Sequence, residues 1–108
     1  MRSLIVYQVT LCTCPTSAIA QDIADKLVTE KLAACVNILP NITSVYLWQE
    51  NVVRETEVQL FIKSKCEYFE LLNDRIKQLH PYDTPEVIAL NIQQGDHQYL
   101  NWINESLK

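Results

Sequence analysis

Two extended runs, residues 34–48 and 52–64, are separated only by the polar Gln49, Glu50 and Asn51, and this pairing constrains the fold more than any other feature. In the second run Val58, Leu60 and Ile62 alternate with Glu57, Gln59, Phe61 and Lys63, the period-two pattern of a strand with two unlike faces. Each run is about twice the ~5–6 residues of an ordinary strand. A hairpin that long overshoots the body of a 108-residue chain and leaves aromatic residues such as Tyr46, Trp48 and Phe61 exposed along its length. Long exposed edges pair with other chains, so a homo-oligomer is expected. Pro40-Asn41 predicts a bulge or bend within the first run, because proline cannot donate to a ladder and asparagine tolerates positive φ.

The rest of the chain supplies cover for that hairpin. Residues 3–12 read as a buried strand, and Pro15, Thr16 and Ser17 end it with helix-start chemistry. Ala20, Ile23, Ala24, Leu27 and Val28 recur at helical spacing and predict an amphipathic helix over 17–31. Tyr68, Phe69, Leu72, Ile76 and Leu79 predict a second, residues 86–92 a fourth strand, and Asp96 caps a short last helix. The order is strand, helix, strand, strand, helix, strand, short helix. It is the split βαβ arrangement of an α+β domain spanning 1–108: a four-stranded antiparallel sheet with both main helices on one face. The other sheet face then has no cover within the chain.

Composition narrows the function classes. The single glycine, Gly95, leaves no phosphate-cradling loop and no dinucleotide-binding turn. A net charge of -4 without a run of Lys or Arg argues against nucleic acid as a partner. No apolar run approaches the ~20 residues that span a bilayer. The N-terminal MRSLIVYQVTLC reads as a strand rather than a signal peptide, which points to the cytoplasm and to thiols rather than disulfides for Cys12, Cys14, Cys35 and Cys66. Cys35, flanked by alanine and valine, is expected in the core.

Two segments carry candidate chemistry. In LHPYDTPEV, residues 79–87, Pro81 and Pro85 stiffen a stretch that holds His80, Tyr82, Asp83 and Glu86. One reading is a rigid wall of a binding site; the other is that the prolines end a helix and His80 caps it. In LCTCP, residues 11–15, Cys12 and Cys14 face one side of a strand and could address one soft ion, Cu(I) or Zn(II), although two packed thiols give the same pattern. Glu57 and Lys63 share a strand face but stand too far apart to pair, so each needs a partner from elsewhere. No nucleophile, base and oxyanion donor stand at recognisable spacing, and an enzyme is not expected.

The ordered motifs EKLAACVNILPNITSVYLWQ, EVQLFIKS, HPYDTPEVIAL and YLNWI closely resemble the CutA family of divalent-cation tolerance proteins, over essentially the whole chain. The resemblance implies a ferredoxin-like fold assembled as a homotrimer similar to the PII signalling proteins. It places Trp48, Glu57, Lys63, His80, Tyr82 and Glu86 in clefts between subunits, where a small ligand or a partner segment could bind. It also implies copper binding through Cys12 and His80, hence a metal-binding protein of metal-ion tolerance; a PII-like signalling trimer is the alternative function. This chain departs from the family pattern at Leu79, where some members carry a second histidine, so that Cys14 or another chain would have to complete the ligand set. Asn41 stands where members commonly have glycine.

Overall fold

The computed structural model describes residues 4–108. Strand β1 (Tyr7–Cys14) leads into helix α1 (Ser17–Thr29), then β2 (Cys35–Trp48) and β3 (Asn51–Lys65). A 3-10 turn (Cys66–Tyr68) opens into α2 (Phe69–Leu79), followed by β4 (Ile88–Asn91) and α3 (His97–Ser106). The sheet is antiparallel throughout, in the order β2-β3-β1-β4. The split βαβ architecture predicted from the element order is therefore the one observed.

The central hairpin is as long as its sequence implies, with strands of 14 and 15 residues. It draws the molecule out to 54 × 26 × 22 Å and a radius of gyration of 14.9 Å. A compact chain of this length would have about 13 Å. The strands are joined at Gln49 and Glu50, both in the left-handed region (φ 50° and 68°), which matches the right-handed twist of a hairpin. Asn41 also has positive φ (61°), and the ladder register shifts between Leu39 and Ile42, the bulge foreseen at Pro40-Asn41.

One face of the sheet meets the helices. Thr10, Cys12 and Cys14 of β1 and Val58, Leu60, Ile62 and Ser64 of β3 point into it and are buried. They pack against Ile23 and Leu27 of α1, Leu72 and Ile76 of α2, and Ile103 and Leu107 at the end of the chain. The Thr16 side chain caps α1 by accepting from the Ile19 N–H at 3.2 Å, and Asp96 caps α3 by accepting from the Tyr99 N–H. The buried Ser64 hydroxyl donates to the Leu32 carbonyl at 2.7 Å and holds the α1–β2 connection onto the sheet. The Glu30 carboxylate takes three hydrogen bonds of 2.8–3.1 Å from Arg75, joining the end of α1 to α2.

Several boundaries differ from expectation. The first strand was expected over 3–12 and runs from Tyr7 to Cys14; residue 3 lies outside the described residues. The fourth strand is four residues long, because the Pro85 segment approaches the sheet without laddering to it. Cys35 is not in the core. Its pairing opposite Lys63 turns it to the helix-free face, where it is half-buried and accepts from the Asn37 side chain at 3.9 Å. Ile88 and Leu90 lie on the same open face opposite Leu11 and Val9, both more than half exposed. Among the described residues no helix is long and apolar enough to cross a membrane.

Candidate functional site

The C-terminal end of β1, the end of α2 and the outer half of the hairpin converge at one corner of the molecule. Strand alternation sends the Cys12 and Cys14 side chains to the same buried side, opposite Leu60 and Val58. Helix α2 stops at Leu79, with His80 in extended conformation as its C-cap, which is the geometry that the following Pro81 imposes. His80 is carried inward and is 7% exposed. The two thiols and the imidazole come together: their ligating atoms all lie within 4.8 Å of one another. Leu79, the last residue of α2, packs against the core.

Both nitrogens of His80 are engaged. Nδ1 accepts from the Tyr82 backbone N–H at 3.1 Å, which leaves the ring proton of the neutral imidazole on Nε2. From there it is donated to the Thr13 carbonyl at 2.7 Å. The thiols form a second coupled unit. The Cys12 thiol is held far above the usual thiol range, first because Cys14 shares its proton, then by burial and by the Glu86 and Glu57 carboxylates. Cys14 is lowered by the same hydrogen bond, with burial and Glu57 opposing. The Thr13 carbonyl, 3.8 Å from the Cys12 sulfur, is the weaker competitor for that proton. Within the pair, Cys14 is the more acidic thiol and Cys12 the less acidic one.

Beside this cluster, on the outer side of Thr13, lies a pocket. Its walls include Tyr46, Trp48, Glu55 and Glu57 of the hairpin and Tyr82 and Glu86 of the proline-stiffened link. The Tyr82 hydroxyl donates to Glu57 Oε2 at 3.1 Å, and the Tyr82 ring lies 4.8 Å from the His80 ring. Burial, then the bond to Glu57, pushes the Tyr82 phenol up to about 12. Within the protomer Glu57 thus finds a partner in the 80–86 link.

Of the residues singled out from sequence, Cys12, Cys14 and His80 form one cluster, and Trp48, Glu57, Tyr82 and Glu86 line the adjoining pocket. Lys63 lies apart from both within the protomer: its ammonium bonds the Asn37 side chain and sits 5.9 Å above the Tyr99 ring. Sequence reasoning passed over Glu55, Thr84 and Val53 as pocket residues. The signal was present in the period of two, since Val53, Glu55 and Glu57 fall on one strand face opposite Tyr46, Ser44 and Ile42.

Comparison with known proteins agrees with this architecture. The family model for the CutA1 divalent ion tolerance protein matches residues 8–106. The divalent-cation tolerance protein CutA of Thermus thermophilus is 46% identical over 99 residues, covering 92% of this chain and 96% of the relative. Its counterpart from Salmonella newport is 46% identical over 100 residues, covering 93% and 87%. Among solved structures, CutA1 from Oryza sativa superposes with a TM-score of 0.94 at 39% identity, covering 96% of this chain and 95% of that one. The Thermus thermophilus protein superposes with a TM-score of 0.91 at 45% identity, covering 94% and 99%. With a match across nearly its whole length, the chain belongs to the CutA1 divalent ion tolerance family.

Proposed function

We propose that this member of the divalent-cation tolerance family acts by binding a soft transition-metal ion, Cu(I), among Cys12, Cys14 and His80. The observation that carries the reading is the convergence of two thiols and an imidazole within 4.8 Å, all three buried. Three donors bonded to one ion at about 2.0–2.3 Å lie about 3.5–4.0 Å from one another, so the cluster closes on an ion by a contraction of up to about 1 Å. The donor set fits. Thiolate and imidazole select soft ions over Mg(II) or Ca(II), and three buried donors without a fourth match the low coordination number of Cu(I) better than the tetrahedral habit of structural zinc. Cys14 takes the place of the ligand that Leu79 does not supply. Thiolate ligation also needs a reducing compartment such as the cytoplasm.

Assembly as a homotrimer is part of the proposal. Its support is the overlong hairpin with Val45, Leu47 and Val52 exposed near its tip, together with the apolar open face of the sheet around Ile88 and Leu90. Native mass spectrometry of the reduced protein, titrated anaerobically with Cu(I), tests both statements. The expected result is a trimer that takes one copper per chain and loses it in each of Cys12→Ser, Cys14→Ser and His80→Ala. Unchanged copper stoichiometry in those variants would overturn the metal reading.

A further inference from the structure

Cys12 and Cys14 are fully buried, and His80 nearly so. An ion among them has no open route to solvent, so part of the enclosure must move for it to enter or leave. Most of the enclosure is firm. Strand β3 is laddered to β1 at Cys12–Leu60 and Cys14–Val58. On the helix side the thiols belong to one packed core with Ile23 of α1 and Ile76 of α2.

The remaining side is built differently. Pairing of β4 with β1 ends at Leu11, so Cys12, Thr13 and Cys14 have no β4 neighbour. The proline-stiffened link stands there instead, bending through residues 81–84 without a ladder and exposed along them. It meets β1 through His80, whose Nε2 donates to the Thr13 carbonyl at 2.7 Å. It meets β3 through the Tyr82 hydroxyl, which donates to Glu57 Oε2 at 3.1 Å. Pro81 and Pro85 each fix a backbone dihedral, so the segment moves as a stiff strap. The Tyr82 N–H is bonded to Nδ1 of His80, and a strap that lifts therefore carries the imidazole with it.

We propose that the 80–86 link is the gate of the thiol cluster, with the Tyr82 hydroxyl as its latch on Glu57, and that a metal ion passes only when the strap lifts. The identity of the cargo rests on the copper reading above; the gate itself does not. Tyr82 is a positioning residue here, acting on the ion through the strap. Such a site exchanges its ion slowly. A shuttle keeps a ligand exposed, so that an acceptor's thiol attacks the ion before the donor lets go. With both sulfurs enclosed, this chain holds copper as a store rather than passing it from protein to protein.

The gate is tested on the metal-free, reduced full chain with N-ethylmaleimide, each cysteine being followed by mass spectrometry. Cys66 is exposed and serves as the internal reference. Cys12 and Cys14 are expected to react about a hundredfold more slowly than Cys66, the combined worth of the two bonds that opening breaks. Tyr82→Phe keeps the ring and removes the latch. It is expected to speed Cys12 and Cys14 about tenfold, while Cys66 and the exchange of the Leu60 and Ile62 amides keep the parent's rates. Buried thiols that react as fast as Cys66, or that ignore Tyr82→Phe, would overturn the gate. So would β3 amides that open along with the thiols, or labelling that speeds on dilution, since the opening would then be global or between subunits. In the copper-loaded chain, release to bathocuproine disulfonate is expected at a rate independent of chelator concentration. A rate proportional to the chelator would overturn the store. A chain that takes up no copper would overturn the metal reading, and the alkylation rates would still decide the gate.

Discussion

The backbone N–H of Tyr82 donates to Nδ1 of His80 at 3.1 Å, so the imidazole of the thiol cluster and an aromatic wall of the pocket are fixed to each other. The bond spans only Pro81, whose ring restricts the freedom of the link between them. Any ion that takes His80 as a ligand must displace one of two existing bonds: Tyr82 N–H at Nδ1, or the Thr13 carbonyl at Nε2. Thr13 and Tyr82 both line the pocket. The two sites are therefore mechanically joined whichever nitrogen is used.

This arrangement predicts a tautomer. Long-range nitrogen–proton NMR of the metal-free protein should show the neutral His80 ring protonated at Nε2, and Cu(I) should shift the Tyr82 amide or the amides next to Thr13 at the end of β1 while leaving the α3 amides in place. A ring protonated at Nδ1 would contradict the hydrogen-bond assignment.

A second prediction concerns Thr10. Its side chain is 1% exposed, and among the described residues Oγ1 has no hydrogen-bond partner. Burying a hydroxyl without a partner costs about 1–3 kcal/mol. Thr10→Val keeps the shape and removes the hydroxyl, so it should raise stability by an amount of that order in denaturant titration at fixed protein concentration. A loss of stability would show that the hydroxyl is satisfied.

The hairpin turn offers a third. Gln49 and Glu50 both occupy the left-handed region, where side chains other than glycine and asparagine are strained by about 1 kcal/mol each. Replacing the pair with Asn-Gly, the preferred two-residue turn, should stabilise the protein by roughly 1 kcal/mol without moving the strands. Circular dichroism melts of the double variant would check this; an unchanged or lower midpoint would mean that the turn residues make compensating contacts.

How much of this was legible in the sequence depended on distance along the chain. The alternation through Val58, Leu60 and Ile62, the kink at Asn41 and the shared face of Cys12 and Cys14 are local patterns, and each appears where the spacing puts it. Cys35 misled because its alanine neighbours are buried by the helix connection, while strand register, a long-range property, turned its own side chain outward. The contact between Thr13 and His80 joins residues 67 apart, and that between Glu57 and Tyr82 joins residues 25 apart. No local period encodes either. The grouping of Lys63 with the pocket came from family resemblance, and within the protomer its place is beside Asn37 and Tyr99.

A final prediction follows from the tie between α1 and α2. The Arg75 guanidinium donates to the Glu30 carboxylate and holds it below the usual carboxylate range, with Lys108 and Lys26 adding to the effect. A carboxyl lowered on folding contributes stability that is present above its unfolded value and is lost as pH falls through its folded one. Arg75→Ala should therefore be less stable than the parent chain at neutral pH, by a modest margin because the pair is open to solvent. The margin should stay constant down to about pH 5 and shrink as the pH falls below the ordinary carboxylate range, about 4.3. Denaturant titrations of both proteins at several pH values between 3 and 7 would show it. A margin independent of pH would mean that Arg75 stabilises the helix pair by packing its aliphatic stem rather than by its charge.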